Sequence, residues 1–212
     1  MTPRVRIAVI DSGVHADHPH VGGVAGGIGI SGDGRVETDY LDRLGHGTAV
    51  CAVIREKAPD AEIFCIKVFD RELAATGTAL VAAIEKAIEH RAQIINLSLG
   101  TENCDHEAAL ASVVDEATHA GVIVIAAGEQ GGVRWLPGAL PEVWPVLLDW
   151  SIAREECRVT MRAGAPPVFY ASGYPRPIPG VPPERNLKGL SFAVANVTGL
   201  VAASRLVAPQ RD

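Results

Sequence analysis

Aromatic residues are scarce, 5% of the chain, and there are only two methionines. A core built on large rings is thereby excluded. Small and β-branched residues (Ala, Val, Ile, Gly) have to fill the interior, and they suit helices packed closely on a parallel sheet. Clusters of Lys and Arg are also lacking. The net charge is -6, which argues against nucleic acid and anionic membrane as partners. No apolar run is long enough to cross a bilayer. The first residues carry no secretory h-region or cleavage site before the first strand pattern. The four cysteines, Cys51, Cys65, Cys104 and Cys157, are widely spaced and form no CxxC pair. Cys51 and Cys65 fall in apolar patterns and read as buried thiols. A cytoplasmic protein with reduced cysteines is expected. A length of 212 residues, 48% of them hydrophobic, predicts a single domain over 1–212 with a sizeable core.

What is present alternates between two periods. Arg4–Ile10, Glu62–Phe69, Gln93–Leu99 and Val122–Ala127 are short β-branched runs that read as buried strands. Ala49–Ile54, Thr78–His90 and Glu107–Ala120 read as helices, the last ended by Gly121. Gly22–Gly34 is glycine-rich, but no Lys-Ser/Thr follows, so loops or short strands are favoured over a phosphate cradle. From Trp135 to Asn186 the chain is rich in Pro and Gly, which predicts short strands and loops. Alternation of strand and helix implies right-handed crossovers and an α/β fold, a mostly parallel sheet with helices on both faces. Ligands of such sheets sit outside the carboxyl ends of the strands. Asp11, Ser98 and Glu129 all fall at or just past such ends.

Near the C-terminus, Gly189-Leu190-Ser191-Phe192-Ala193-Val194-Ala195 reads as a loop feeding a buried helix that runs through Gly199 to Val207. Its serine lies beside unpaired N–H groups and the positive end of the helix dipole. That position suits a nucleophile whose attack creates an oxyanion, and equally an N-cap. A serine hydroxyl needs an imidazole to take its proton and a carboxylate to orient that imidazole. Asp11 after the first strand and His46 before the first helix supply both types.

The local sequences carry a resemblance. Ile7-Ala8-Val9-Ile10-Asp11-Ser12-Gly13-Val14, with His18-Pro19, resembles the aspartate motif of the subtilisin-like serine proteases (subtilases, peptidase family S8). Gly45-His46-Gly47-Thr48 resembles their histidine motif, and Gly189-Leu190-Ser191-Phe192-Ala193 their serine motif. The order Asp, His, Ser is also theirs. Ile95-Asn96-Leu97-Ser98-Leu99-Gly100 is similar to the family's substrate-binding strand. The resemblance implies a three-layer subtilisin-like fold, Asp11 orienting His46, His46 as general base and then acid, and Ser191 as nucleophile. It also implies a peptide or protein substrate laid along Ser98, Leu99 and Gly100 as an added strand, with a second edge near Ala74 and Ala75. A pocket floor near Ala126, Ala127, Gly128 and Leu99–Gly100 is apolar and points to an uncharged residue before the scissile bond.

Several positions depart from the family. Where its members have an asparagine that donates to the oxyanion, Ala126-Ala127-Gly128 is followed by Glu129 and Gln130. An ionised glutamate cannot donate. Losing one such donor costs about 10²–10³ in rate, a magnitude that comes from this same family. Glu129 is expected at the oxyanion position, and three solutions stay open for the missing donor: a protonated Glu129, a carboxamide from Gln130 through a shifted loop, or the Ser191 N–H acting alone. Ala195 replaces the usual proline of the serine motif, and Ala49 replaces a frequent second histidine. Calcium-binding loops are not evident, and Asp39 and Asp42 read as surface carboxylates near the His46 loop. His15, His18 and His20 lack the further ligands of a zinc site, so no metal or cofactor is expected. Trp135, Trp144 and Trp150 read as core or interface residues, and no pattern fixes an oligomeric state. The sequence also shows no prosegment, and an unrestrained protease in the cytoplasm is hazardous. A slow or substrate-restricted endopeptidase, for example one removing a leader during peptide maturation, is therefore the first expectation. A catalytically impaired peptide-binding protein on the same fold is the second.

Overall fold

The computed structural model describes residues 4–204; the predicted helix end at Arg205–Val207 lies outside them. Among the described residues nine strands are present: β1 (Arg6–Asp11), β2 (Gly26–Ile30), β3 (Val36–Glu37), β4 (Glu62–Lys67), β5 (Ile94–Leu97), β6 (Ile123–Ala127), β7 (Trp144–Leu148), β8 (Cys157–Arg162) and β9 (Ala165–Ala171). They form one sheet in the order β3-β2-β4-β1-β5-β6-β7-β9-β8. Every pairing from β2 to β9 along that order is parallel; only the edge strands β3 and β8 are antiparallel. Four helices cover it: α1 (His46–Lys57), α2 (Gly77–Glu89), α3 (Glu107–His119) and α4 (Leu190–Ala203). The fold is the three-layer α/β architecture that the alternation of strands and helices predicts.

Alternate residues of the central strands feed two cores, because successive side chains point to opposite faces. Ile7, Val9, Ile63 and Ile125 face α1 and α4. Ala8, Ile10, Ile66, Ile95 and Leu97 face α2 and α3. α4 is apolar on nearly every side and buried from Phe192 through Gly199, as a helix lodged in a core must be. Each fully buried Phe or Val there contributes about 1.5–3 kcal/mol. Cys51 and Cys65 are buried free thiols, their sulfurs 3.7 Å apart.

The Pro- and Gly-rich region supplies β7, β8 and β9. Between Thr160 and Arg162 the β8–β9 register shifts. There β9 carries Pro166 and Pro167, which have no N–H to give to the ladder. Trp144 stacks on Phe169, and the half-exposed Trp150 packs edge-on against Tyr174.

Candidate active site

β1 is a central strand, and Asp11 is its last residue, so the carboxylate projects from the carboxyl edge of the sheet. The chain then turns through Gly13 (φ 97°), where a Cβ would strike the carbonyl of Tyr40. On α1, a Cβ at Gly47 would collide with the carbonyl oxygen of Gly13. The two glycines let the start of α1 lie directly on the end of β1, and His46 begins that helix.

Asp42 holds this junction together. Its Oδ1 accepts hydrogen bonds from the Ser12 hydroxyl (2.8 Å), Leu44 N (2.9 Å) and Gly45 N (2.8 Å). Its Oδ2 accepts from Thr48 N (2.8 Å) and Thr48 Oγ1 (2.6 Å). Ser12 Oγ in turn accepts from Gly47 N at 2.9 Å. The sequence reading of Asp42 as a surface carboxylate is corrected: the residue is 1% exposed. It satisfies N–H groups at the α1 terminus, the role a side-chain cap would fill. Burial alone would raise its pKa, but the hydrogen bonds from Thr48, Leu44 and Ser12 outweigh it and leave the carboxyl below its ordinary value.

His46 Nδ1 lies 2.7 Å from Asp11 Oδ1, which also accepts from Ser12 N at 2.7 Å. A carboxylate only accepts, so Nδ1 carries the proton and Nε2 is left as the base. Asp11 is 1% exposed, and its Oδ2 is buried without a partner among the described residues. Burial pulls the His46 pKa down. The hydrogen bond and charge of Asp11, helped by the charge of Asp42, overcome that and raise it above 6.5.

Ser191 is the second residue of α4. It is not the N-cap: that position is Gly189, with no side-chain cap. The Ser191 N–H falls in the first turn, among donors without an intrahelical acceptor. The hydroxyl donates to the carbonyl of Ser98 at 2.9 Å. Ser98 Oγ returns a bond to the carbonyl of Ser191 at 3.0 Å. Behind it lies a buried relay that the motifs did not mark. Thr198 Oγ1 donates to Asn96 Oδ1 (2.9 Å), and Asn96 Nδ2 donates to Ser98 Oγ (2.9 Å). The ring of Phe192, next to Ser191, lies 5.5 Å from that of His46.

His46 and Ser191 line one cleft of about 580 Å³ at the carboxyl edge of the sheet. Ala74, Ala75, Ser98, Leu99, Gly100 and Ala127 line it too. Phe69, Leu73 and Leu80 make its apolar wall, residues that sequence reasoning missed because they come from a loop and a helix far from the motifs. Ala126 and Gly128 do not line it. Ala126 faces the α2–α3 core, and the Gly128 N–H is spent on the carbonyl of Val146. Of the two oxyanion candidates, Gln130 lines the cleft and Glu129 does not. Gln130 exchanges backbone bonds with Val133 in a small hairpin, and Glu129 is exposed. His15, His18 and His20 form a turn, and no group of three metal-ligating side chains is brought together among the described residues. Among the same residues, no helix is long and apolar enough to cross a membrane.

The fold and this edge define a three-layer α/β protein with an Asp–His pair and a serine brought to the carboxyl edge of its sheet. Within it, the model of the subtilase family matches residues 3–153, and the chain belongs to that family. Ser191 lies beyond the matched span. Subtilisin DY of Bacillus licheniformis is 31% identical over 137 residues, 60% of this chain and 48% of that protein. A thermostable alkaline protease of Halalkalibacterium halodurans is 35% identical over 136 residues, 59% and 36% respectively. The chain thus spans less than half the length of these curated relatives. The solved structure of prenylagaramide maturation protease PagA superposes with TM-score 0.68 at 25% identity, covering 97% of this chain and 76% of that one.

Proposed function

We propose that the protein is a serine endopeptidase acting through an acyl-enzyme. The observation that carries this reading is the 2.7 Å contact between His46 Nδ1 and buried Asp11, with His46 and Ser191 lining one cleft. Ser191 Oγ leaves the Ser98 carbonyl by rotation of its side chain and turns to His46 Nε2. Such catalytic bonds commonly tighten only when substrate binds. Oγ attacks the scissile carbonyl carbon while its proton passes to Nε2. Asp11 holds the resulting imidazolium. His46 then gives that proton to the departing amine, and a water repeats the sequence to release the acid. The Ser191 N–H and the carboxamide of Gln130, which lines the cleft, serve as donors to the developing oxyanion. A peptide extended along Ser98–Gly100 pairs as an added strand, with Ala74–Ala75 on the other side.

The likeness to a maturation protease and the apolar cleft favour one dedicated peptide precursor over general digestion. Four free thiols fit a reducing, cytoplasmic setting. A second reading, an impaired peptide-binding protein, is favoured by the serine hydroxyl resting on Ser98. Hydrolysis of a peptide library separates the two. Endopeptidase products from the wild type and none from Ser191→Ala or His46→Ala support the enzyme. Peptide binding of similar strength in all three, without products, supports the second reading.

A further inference from the structure

The wall of the cleft closes on one residue that the proposed reaction leaves without a role, Trp135. It lies on a strap that joins the ends of two neighbouring strands. At one end of the strap, Gln130 and Val133 exchange backbone bonds of 3.2 and 3.1 Å; at the other, Thr101 and Leu136 exchange two of 2.9 Å. Arg134 grips Glu107 of α3 with two bonds of 2.9 and 2.7 Å. Ala139 N donates to the Trp135 carbonyl at 2.9 Å, and Leu136 is 1% exposed. The backbone on both sides of Trp135 is therefore held at several points.

The ring lies on Gly100. A Cβ placed there would stand 3.1 Å from Trp135 Cβ and 3.5 Å from Cε3. Trp135 lines the same cleft as Ser191, Leu99, Gly100, Ala127 and Gln130. β5 and β6 are adjacent and parallel, their last pair being Leu97 and Ala126, and Leu99, Gly100, Ala127 and Gln130 just beyond it line this space. A substrate whose backbone follows Ser98–Gly100, with its carbonyl at Ser191, must send the side chain of that carbonyl residue (P1) between the two strand ends. The indole lies against Gly100 on the β5 side of that gap and lines it. We propose that Trp135 determines specificity by filling the P1 pocket, so that the chain accepts small uncharged P1 residues such as Gly, Ala or Ser and rejects aromatic and long ones. The inference rests on the endopeptidase reading for where the scissile carbonyl sits. A pocket already filled imposes a clash on a large side chain, and clashes discriminate more sharply than a lost methylene does.

Two measurements on peptides that differ only at P1, Ala against Phe, test this: kcat/KM with the wild type, and Kd with Ser191→Ala, which needs no chemistry. The expected wild-type preference for Ala is at least about 100-fold. Trp135→Ala should narrow it by about 10-fold or more, and Trp135→Phe, which keeps a ring on Gly100, should fall between. Comparable kcat/KM for Ala and Phe in the wild type, or a preference that Trp135→Ala and Trp135→Phe leave unchanged, overturns the inference while leaving the enzyme standing. Absence of hydrolysis with an Ala preference retained in Ser191→Ala binding sinks the endopeptidase reading and keeps the filled pocket. Absence of both overturns the two together.

Discussion

Replacing Asp42 by asparagine tests whether one buried carboxylate organises the histidine loop. Asparagine keeps one acceptor oxygen. Placed to hold Ser12 Oγ, Leu44 N and Gly45 N, it turns its NH₂ toward Thr48, whose N–H and hydroxyl both donate to Asp42 in the wild type. The Thr48 hydroxyl also accepts from His15 N at 3.0 Å, which limits its freedom to reverse. Two charge-assisted bonds are lost, each worth about 1.5–3 kcal/mol. The expected destabilisation at neutral pH is about 3–6 kcal/mol, a large share of the roughly 5–15 kcal/mol that holds a domain together. Urea unfolding followed by far-UV circular dichroism should show a lower midpoint at unchanged slope. The sign of its pH dependence is fixed. Hydrogen bonding holds the Asp42 carboxyl below its ordinary 3.8, so its contribution is complete above the unfolded-state value and is lost as pH falls through the folded-state value. The gap between wild type and Asp42→Asn should close in acid. Because the Asp42 charge helps raise the His46 pKa, the acid limb of any pH–rate profile should move to lower pH in the variant. A variant within about 0.5 kcal/mol of wild type at pH 7, or a gap that widens in acid, would refute the reasoning.

Other outcomes follow from the same geometry. Asp11→Asn should cut kcat by about 10⁴-fold, since the amide favours the wrong imidazole tautomer. In the wild type, kcat/KM should rise as His46 loses its proton, with a midpoint above 6.5; a midpoint below that value contradicts the Asp11 pairing. Gln130→Ala should lower kcat by about 10²-fold with little change in KM, while Glu129→Gln changes it by no more than a few-fold; steady-state kinetics showing the reverse pattern would move the oxyanion donor to Glu129. Asn96→Ala leaves the Thr198 hydroxyl without its acceptor and removes the donor to Ser98. A loss of about 1–3 kcal/mol is expected, measured by urea midpoint, together with slower acylation.

The central strands and the helices α2 and α3 were legible because their signals are local: β-branched runs, a 3.6-residue period, a glycine past the helix end. Gly121, for example, adopts φ 78° just beyond α3. Asp11, His46 and Ser191 were legible as motifs, and parallel topology alone predicts that strand ends carry a site. Asp42 was misread because its partners are Ser12, thirty residues back, and N–H groups whose direction only the folded turn sets. The Thr198–Asn96–Ser98 relay spans more than a hundred residues and has no sequence period. The edge strand β8 and its neighbour β9 were not delimited, because Pro166 and Pro167 of β9 break both alternation and ladder. The hydrogen bond from Ser191 to the Ser98 carbonyl joins residues far apart in the chain, which no local pattern encodes.

Mapping the adduct of a fluorophosphonate by mass spectrometry tests the site most directly, because the reagent modifies only a serine whose hydroxyl is activated. One adduct per chain, on the peptide carrying Ser191, lost in Ser191→Ala and formed far more slowly in His46→Ala, is the expected result. A wild type that stays unmodified, or a label elsewhere that survives Ser191→Ala, would mean that Ser191 and the Asp11-paired His46 share a cleft without acting together.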